Sequence, residues 1–404
     1  MHVAVIGGGA AGFFAAISCK SHYPHARVTI YEKSSKLLSK VRISGGGRCN
    51  VTHACFQPSQ LAKFYPRGGK QLKKTFRHFH TTHTVEWFEQ RGVPLKTEAD
   101  HRMFPVSDRS QSVIDCLMQE TRSLGITVQT SCAVTALRPE NPGFTLTLRQ
   151  QPNVRVDRVI VATGGSPQRA GFDWLATLGH TIQSPVPSLF TFNMPEEAVT
   201  ALMGVVVNPA LVRIQSSKLQ HDGPLLITHW GMSGPAVLKL SAWGARLLHA
   251  TDYRFKAQIN WLGTLNEPQV REQLSAVLPT IARRKVANRN PFQLPNRFWE
   301  FILHKASIDP DTTWEALGKK KTNVLLHTLL NDVYRIAGKT TFKEEFVTCG
   351  GVDLSEVDMN TMESRRCPGL YFAGEVLDID GVTGGFNFQA AWTTGYVAGK
   401  LSLA

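Results

Sequence analysis

The first 32 residues contain the pattern that constrains the fold of this chain most strongly. A short apolar run, VAVI, is followed by glycines at Gly7, Gly9 and Gly12, and a second apolar run ends near Glu32. In this spacing the first glycine permits a tight strand-to-helix turn, the second lets the backbone approach a pyrophosphate, and the third lets the helix pack closely on the sheet. The phosphates of a ligand would lie at the positive end of the helix. The pattern therefore predicts a βαβ unit that binds a dinucleotide.

Glu32 lies twenty residues after Gly12, at the end of the predicted second strand TIYEK. A carboxylate in this position can accept hydrogen bonds from a ribose, and it suits a free 2′-hydroxyl better than a 2′-phosphate. A tight βα turn without a ligand is the alternative interpretation. The flanking strand VAVI and helix FFAAISCK provide the context that a binding motif requires.

Length and composition indicate a globular protein with more than one domain. The 404 residues are enough for two or three domains with their own cores. No apolar run approaches the length of a membrane span, and the first residues already form a core strand, so we expect no membrane contact, secretory signal or transit peptide. The seven cysteines are scattered and show no CxxC spacing. This predicts neither a metal site nor a disulfide framework, and it favours a cytoplasmic location.

Basic residues exceed acidic ones, and they are clustered. The 45 Lys and Arg residues against 31 Asp and Glu residues give a net charge of +14. Clustered cations raise the local potential and favour polyanions such as RNA. A solvated basic face that only aids solubility is the alternative. The clusters are Lys63, Arg67, Lys70, Lys73, Lys74 and Arg77; then Arg283, Arg284, Lys285, Arg289 and Arg297; and finally Lys319, Lys320 and Lys321.

The pattern of apolar residues divides the chain into four segments. Residues 1–188 are typical of an α/β domain, with a buried strand at Val159–Ala162. Residues 189–265 contain short runs such as RFKAQINWLG and AVLKLSAW, separated by Gly and Pro, and predict a β-rich module. Residues 266–344, including NVLLHTLLNDVYRIAG, predict a basic helical module. Residues 345–404 return to α/β character, so both modules are predicted insertions into one domain.

Six motifs in order along the chain resemble those of a known family. They are VIGGGAAG with Glu32, SGGGRCNVT, VIVATGG, THWGMSGPA, TCGGV and FAGEVLDIDGVTGGFNFQAAWTTG. Together they resemble the BaiN/YhiN-like NAD(P)/FAD-dependent oxidoreductases, some of which are named aminoacetone oxidases. The likeness spans essentially the whole chain. It implies an α/β fold with a two-part Rossmann-type FAD-binding domain, residues 1–188 and 345–404, interrupted by the two modules.

The resemblance also implies which residues contact FAD. The glycines of the first motif would bind the pyrophosphate and Glu32 the adenosine ribose, while Gly384 to Asn387 would face the isoalloxazine. A helix N-terminus there would stabilise the negative charge of reduced flavin. The full implied set is Gly7, Gly9, Ala10, Ala11, Gly12, Glu32, Lys33, Lys40, Ser44, Gly45, Gly46, Arg48, Cys49, Asn50, Val134, Thr163, Gly164, Gly374, Glu375, Asp380, Gly384, Gly385, Phe386 and Asn387.

Cys49 is the candidate catalytic residue. Flavin disulfide reductases use two cysteines with four residues between them, whereas five separate Cys49 from Cys55, so a redox disulfide is not expected. Cys49 alone could protonate a substrate after hydride transfer, or it could be a small buried residue beside the cofactor. Arg48 is expected to contact phosphate or flavin, with a surface cation as the alternative. His229 is interpreted as a strand-end histidine.

FAD performs hydride chemistry, so the predicted reaction is an oxidation or a reduction. The chain has no second dinucleotide motif, and NAD(P)H is expected to dock transiently as the electron donor. The family resemblance, together with the basic clusters, implies a uridine of ribosomal RNA as substrate, reduced to dihydrouridine. A small ketone, enone or amine is the alternative substrate. A non-catalytic FAD-containing RNA-binding factor is the third alternative. The sequence is silent on oligomeric state and on NADH against NADPH.

Overall fold

A computed structural model of the chain describes residues 1–341 and 347–402. The chain forms two compact units. Unit 1 comprises Met1–Ser188 and Phe342–Ala404, and unit 2 is Leu189–Thr341. The predicted boundary between residues 344 and 345 lies outside the described residues.

The described residues contain 22 β-strands. In chain order they are β1 (His2–Ile6), β2 (Arg27–Tyr31), β3 (Thr52–His53), β4 (Leu95–Thr97), β5 (Arg102–Pro105), β6 (Thr127–Gln129), β7 (Val134–Pro139), β8 (Phe144–Leu148), β9 (Val154–Val156), β10 (Arg158–Val161), β11 (Ile182–Ser188), β12 (Thr191–Asn193), β13 (Val206–Ile214), β14 (Gln220–Thr228), β15 (Gly231–Ser233), β16 (Arg254–Asn260), β17 (Asp332–Ala337), β18 (Lys339–Thr340), β19 (Val347–Val352), β20 (Val357–Asp358), β21 (Glu363–Ser364) and β22 (Leu370–Phe372).

The α-helices are α1 (Ala10–His22), α2 (Ser39–Gly47), α3 (Pro58–Leu61), α4 (Gly69–Thr75), α5 (Thr81–Glu89), α6 (Ser110–Ser123), α7 (Asp173–Ala176), α8 (Pro235–Trp243), α9 (Ala245–Ala250), α10 (Glu267–Ile281), α11 (Asn296–Lys305), α12 (Gly318–Leu330) and α13 (Phe386–Gly399).

The central sheet of unit 1 has the strand order β20-β21-β22-β10-β1-β2-β6. The strands from β22 to β6 are parallel, and β20 and β21 form an antiparallel edge. From β1 the chain passes through α1 to β2 on one side, whereas β10 and β22 lie on the other side. The strand order therefore reverses at β1, and ligands of open α/β sheets bind outside the carboxyl ends of the strands at such a point. The predicted α/β Rossmann-type fold is confirmed.

The C-terminal helix α13 packs against α1 and joins the end of the chain to its beginning. Glycines permit this close contact, since a Cβ on Gly395 would lie 2.7 Å from the carbonyl oxygen of Ala11, and one on Gly399 would lie 2.4 Å from that of Ala15. The ring of Trp392 packs beside the contact, 5.3 Å from that of Phe14. The C-terminal segment is thereby an integral part of unit 1.

Unit 2 contains an antiparallel sheet with the order β17-β16-β13-β14-β15-β12-β18. Apolar residues of the sheet and of helices α8, α10, α11 and α12 form one core, with Trp261 and Trp299 among its largest members. The neighbouring strands β16 and β17 lie on opposite sides of the boundary predicted at residue 265. One sheet therefore contains strands from both predicted modules.

Two predictions of secondary structure in unit 2 are wrong. The run AVLKLSAW is helix α8, because Pro235 begins it and Gly244 follows it, and these are helix start and stop signals that outweigh the short apolar run. The segment NVLLHTLLNDVYRIAG is only partly helical, since α12 ends at Leu330 and β17 follows. The residues of β17 alternate between buried and exposed, which is the period of a strand.

Gly395→Ala tests the contact between α1 and α13. Alanine would favour the helix by about 0.5–1 kcal/mol, but overpacking against backbone atoms costs about 1–3 kcal/mol. We expect a net loss of roughly 1 kcal/mol in the free energy of unfolding, measured by chemical denaturation. An unchanged or higher stability would contradict the close approach of the two helices.

Candidate cofactor site

The first part of the site lies at the carboxyl ends of β1, β2 and β10. Glu32 follows β2, and its Oε2 accepts a hydrogen bond from the backbone N–H of Gly8 at 2.8 Å. Its Oε1 accepts one from the N–H of Ser34, also at 2.8 Å. Each carboxylate oxygen has a second lone pair, so Glu32 can still accept hydrogen bonds from a ribose.

The glycines of the first motif have two different roles. A Cβ on Gly7 would lie 2.3 Å from the carbonyl oxygen of Ala162, and one on Gly12 would lie 1.9 Å from that of Gly7. A Cβ on Gly9 or Gly164 would meet no other atom within 4 Å. Packing therefore requires the first pair, whereas the second pair borders open space. The N-terminus of α1 has no side-chain cap and no acidic residue in its first turn, so this donor set fits the pyrophosphate of FAD.

Three further predicted residues lie close to this region. Cys132 donates its N–H to the carbonyl oxygen of Glu32 at 2.8 Å, and Val134 begins β7 two residues later. Lys33 follows Glu32 and is exposed. Thr163 follows the end of β10 and is also exposed. The structure thus brings the residues after β2 and the residues after β10, both predicted to bind the adenosine, to one edge of the sheet.

Glu375 links the C-terminal loop to the first part of the site. Its Oε2 lies 2.6 Å from Nζ of Lys40, and its Oε1 accepts the N–H of Thr348 at 2.8 Å. Gly374 precedes it with positive φ, and a Cβ there would lie 2.7 Å from Cβ of Ala11. Ala11 and Ala10 start α1, so the loop that follows β22 meets the first turn of α1.

The loop from Ser44 to Asn50 interrupts the end of α2. Gly45, Gly46 and Gly47 have positive φ, and a Cβ on the latter two would enter open space. Asn50 is buried, and with its amide oriented to satisfy its neighbours it accepts the N–H of Gly385 at 3.0 Å and donates to Thr52 at 2.9 Å. This side chain ties the glycine loop to the start of α13.

Arg48 already has partners within the protein. Its guanidinium lies 2.6 Å from Oε1 of Glu98 and 3.6 Å from Oδ1 of Asp108. It also lies 4.0 Å from the centre of the Phe104 ring. The predicted contact of Arg48 with phosphate or flavin stays a prediction, and any such contact would be added to this ion pair.

Cys49 is fully buried, and burial raises the pKa of its thiol to about 12. A hydrogen bond with Ser44 opposes this shift. A thiol with so high a pKa stays protonated near neutral pH and is a weak acid. The environment favours a packing role, and the role of Cys49 as a proton donor stays a prediction. All seven cysteines lie in the described ranges, and no disulfide joins any two of them.

Asp380 forms a buried ion pair that the sequence did not reveal. Its carboxylate accepts two hydrogen bonds from Arg67 and one from the hydroxyl of Ser188 at 2.7 Å. Burial raises the pKa of Asp380, and the Arg67 guanidinium opposes this effect. Arg67, which the sequence analysis placed in a basic cluster, thus serves to hold the 374–385 loop. The structure assigns the carboxylate of Asp380 to these partners, and its direct contact with FAD stays a prediction.

The predicted isoalloxazine end of the site is lined by aromatic rings. Phe386 stacks on Phe64 with ring centres 4.4 Å apart and lies 4.5 Å from the ring of His53. His53 Nδ1 donates to the carbonyl oxygen of Gly384 at 3.1 Å. Asn387 pairs with the backbone of Gly381 through both atoms of its amide, at 2.8 and 3.0 Å. Sequence reasoning missed His53, whose only signal was its place directly after the SGGGRCNVT motif.

Within residues 1–341 and 347–402, no group of three or more His, Cys, Asp or Glu side chains is arranged to hold a metal ion. No helix in the same ranges is both long enough and apolar enough to cross a membrane.

A family model described as the HI0933-like protein Rossmann domain matches residues 1–401. The chain belongs to this family. The HI0933-like family comprises FAD-dependent oxidoreductases of the BaiN/YhiN type, so the resemblance seen in the motifs is confirmed and the chain is an FAD-dependent oxidoreductase.

Two relatives match nearly the whole chain. The 3-dehydro-bile acid delta(4,6)-reductase of Clostridium scindens is 28% identical over 406 residues, which cover 98% of this chain and 98% of that protein. The ribosomal RNA dihydrouridine synthase of Escherichia coli is 27% identical over 405 residues, which cover 98% of this chain and 96% of that protein.

Among solved structures, the 3-ketosteroid-delta4-(5alpha)-dehydrogenase of Rhodococcus jostii in complex with 4-androstene-3,17-dione superposes with a TM-score of 0.50. It is 14% identical, and the match covers 98% of this chain and 96% of that chain. At this identity the likeness shows a common fold.

Gly9→Ala tests the position of the pyrophosphate. Because an added Cβ meets no protein atom, we expect the unfolding temperature of the flavin-free protein to stay unchanged. In the holoprotein the methyl group would crowd the cofactor at a cost of about 1–3 kcal/mol, which corresponds to about tenfold weaker FAD binding or more. Fluorescence titration of the apoprotein with FAD measures this, and equal affinities would contradict the assignment.

Cys49→Ala tests the catalytic role of the thiol. Because the thiol is fully buried and its raised pKa of about 12 makes it a weak acid, we expect rates of substrate reduction within about threefold of wild type and the same pH profile from roughly pH 6 to 9. A general acid contributes about 10²–10⁴-fold. A loss of that size, with flavin reduction by NAD(P)H unaffected, would instead identify Cys49 as the proton donor.

Proposed function

We propose that this protein takes electrons from NAD(P)H and reduces a uridine base of ribosomal RNA to dihydrouridine. Bound FAD would supply the hydride that adds to C6 of the base, and a proton adds to C5. The names of both relatives imply reduction of a carbon–carbon double bond, and one of them names dihydrouridine of ribosomal RNA. The proposal places the protein in the cytoplasm with its RNA.

One geometric observation carries the choice of RNA. Residues 63–77, which contain the first basic cluster, are hydrogen-bonded to the region predicted to face the isoalloxazine. The N–H of Val382 donates to the carbonyl oxygen of Phe64 at 2.9 Å, and the hydroxyl of Tyr65 donates to that of Phe386 at 2.7 Å. A substrate bound by the cations of this segment would therefore be held close to the flavin.

The cations themselves are available to such a substrate. The exposed lysines and arginines of this segment, none of which forms an ion pair with a described residue, are Lys63, Lys70, Lys73, Lys74 and Arg77. Exposed cations without carboxylate partners contribute little to folding and attract phosphates. We refer to these five residues as the rim cluster.

The aromatic residues beside the 374–385 loop offer a place where a nucleotide base could stack. A uridine must be unpaired or flipped out of its helix to reach the flavin, and single bases in protein sites commonly stack on aromatic rings. Phe64 and His53 are partly exposed next to Phe386. Since the Cys49 thiol is buried, the imidazole of His53 is the better placed group to deliver the proton to C5.

The reduction of a small enone is the second candidate. It is favoured by the bile acid reductase, which is as similar over the same length as the RNA enzyme. Anaerobic bleaching of the flavin by NAD(P)H is expected for both candidates, and its absence would leave an RNA-binding factor. Reoxidation of the reduced protein by a 3-ketosteroid enone, but not by ribosomal RNA, would support the second candidate.

The decisive test is mass spectrometry of ribosomal RNA from a strain that lacks the gene. We expect one dihydrouridine to be lost and to return when the wild-type chain is expressed. The rim-cluster variant Lys70→Gln/Lys73→Gln/Lys74→Gln is expected to restore less than about a tenth of the modification, because three phosphate contacts are lost. Lys36→Gln/Arg122→Gln/Arg149→Gln removes three exposed cations of unit 1 elsewhere and is the control. Unchanged dihydrouridine in the deletion strain would exclude the proposal.

A further inference from the structure

The Arg283–Arg289 part of the second basic cluster and the lysines of the third lie in neighbouring segments of unit 2. Residues 282–289 and 312–321 lie side by side, with Lys285 bridged to Thr313. The N–H of Val286 donates to the carbonyl oxygen of Thr312 at 2.9 Å, and that of Trp314 donates to Arg284 at 3.1 Å. These backbone bonds hold the Arg283–Arg289 stretch against residues 312–314, and the lysines in the first turn of α12 follow from residue 319.

The result is a single charged surface, which we call the basic face. Its members are all exposed, and they are Arg283, Arg284, Lys285, Arg289, Lys319, Lys320 and Lys321. Lys285 is paired with Asp311 at 2.8 Å, and Glu315 is a further exposed acid in these segments. The other six cations form no ion pair with a described residue. The surface therefore has more positive charge than its own acids neutralise.

Folding does not account for this charge. Lys319, Lys320 and Lys321 occupy the first turn of α12, which contains no acidic residue. The N-terminal end of a helix is its positive end, so three lysines there destabilise the helix. The side chain of Trp314 and the apolar side chains of α12 already hold these segments in the core of unit 2. A ligand that brings negative charge would remove the repulsion.

We infer that the basic face binds the phosphodiester backbone of structured RNA. Arginines offer paired donors to phosphate oxygens, and lysines add point charges along the same surface. Membrane-binding surfaces combine such charges with apolar side chains that enter the lipid. Neither 282–289 nor 312–321, both fully described, has a large apolar side chain among its exposed residues. Val277 and Val324 are exposed valines that flank these segments, but no exposed Trp, Phe or Leu of the kind that enters lipid accompanies them in this stretch of the described chain, which favours RNA over lipid. The identity of the RNA as a substrate rests on the proposed function, whereas the binding itself does not.

The test compares two triple variants of the holoprotein that lose equal charge. Lys319→Gln/Lys320→Gln/Lys321→Gln changes the basic face. Lys218→Gln/Arg254→Gln/Lys256→Gln removes three other exposed cations of unit 2. Affinity for a fluorescein-labelled ribosomal RNA hairpin is measured by anisotropy over a range of salt concentrations. We expect the first variant to bind at least about tenfold more weakly at roughly 0.1 M salt, with a salt dependence smaller by about two to three ions. The control is expected to bind like wild type.

Unfolding temperature separates this effect from misfolding. Neutral side chains at the start of α12 are expected to leave the stability unchanged or to raise it. Equal RNA affinity of the two variants would overturn the inference. The inference would also be overturned if the first variant bound RNA like wild type but no longer bound vesicles that contain phosphatidylserine. Vesicles of phosphatidylcholine alone are the control for that measurement.

Dihydrouridine formation, measured on the same hairpin, separates this inference from the proposed function. Weaker binding of the first variant without any dihydrouridine from the wild type would support the basic face and reject the proposed reaction. Dihydrouridine from the wild type, with both variants binding equally, would support the reaction and reject the basic face.

Discussion

The contact between the first turn of α1 and the end of β1 is the constraint on which the rest of unit 1 depends. A Cβ on Gly12 would lie 1.9 Å from the Gly7 carbonyl oxygen. The first turn of α1 can therefore pack against the end of β1 only with glycine at position 12. This contact sets the position of α1, and α13 packs against α1 at Gly395. Because α13 directly follows the 374–385 loop, helix α1 positions both parts of the predicted FAD site, the glycine motif and this loop.

The sequence reveals those parts of the site that depend on backbone geometry. Glycine at a close approach is required whatever surrounds it, so Gly7 and Gly12 could be interpreted without a structure. The ion pair of Arg67 and Asp380 joins residues 313 positions apart, and each had a plausible role by itself, one as a surface cation and the other as a cofactor ligand. Local patterns contain no information on such pairs. Similarly, the apolar run of α8 fits a strand or a buried helix equally well until its flanking Pro and Gly are weighed.

Charged residues in unit 1 belong to two physical classes. Arg67, Arg48 and Lys40 are matched by carboxylates within the protein, and loss of one partner would leave a charge without compensation. The rim cluster has no such carboxylates, so folding gains little from it. The excess of positive charges, a net charge of +14, also causes repulsion among the cations of the folded state. The exposed class is the one that the proposed RNA substrate would neutralise.

Comparable similarity to a bile acid reductase and to an RNA dihydrouridine synthase is consistent with this division of roles. The residues predicted to hold the cofactor include glycines and backbone donors, which enzymes of either substrate class can share. Long exposed side chains around the loop can be exchanged without affecting the fold. Identities of 28% and 27% therefore do not separate the two substrates. The proposal of RNA therefore depends on charge, because RNA presents a phosphate at every nucleotide, whereas a bile acid carries a single carboxylate on an apolar steroid, and the rim cluster offers five exposed cations.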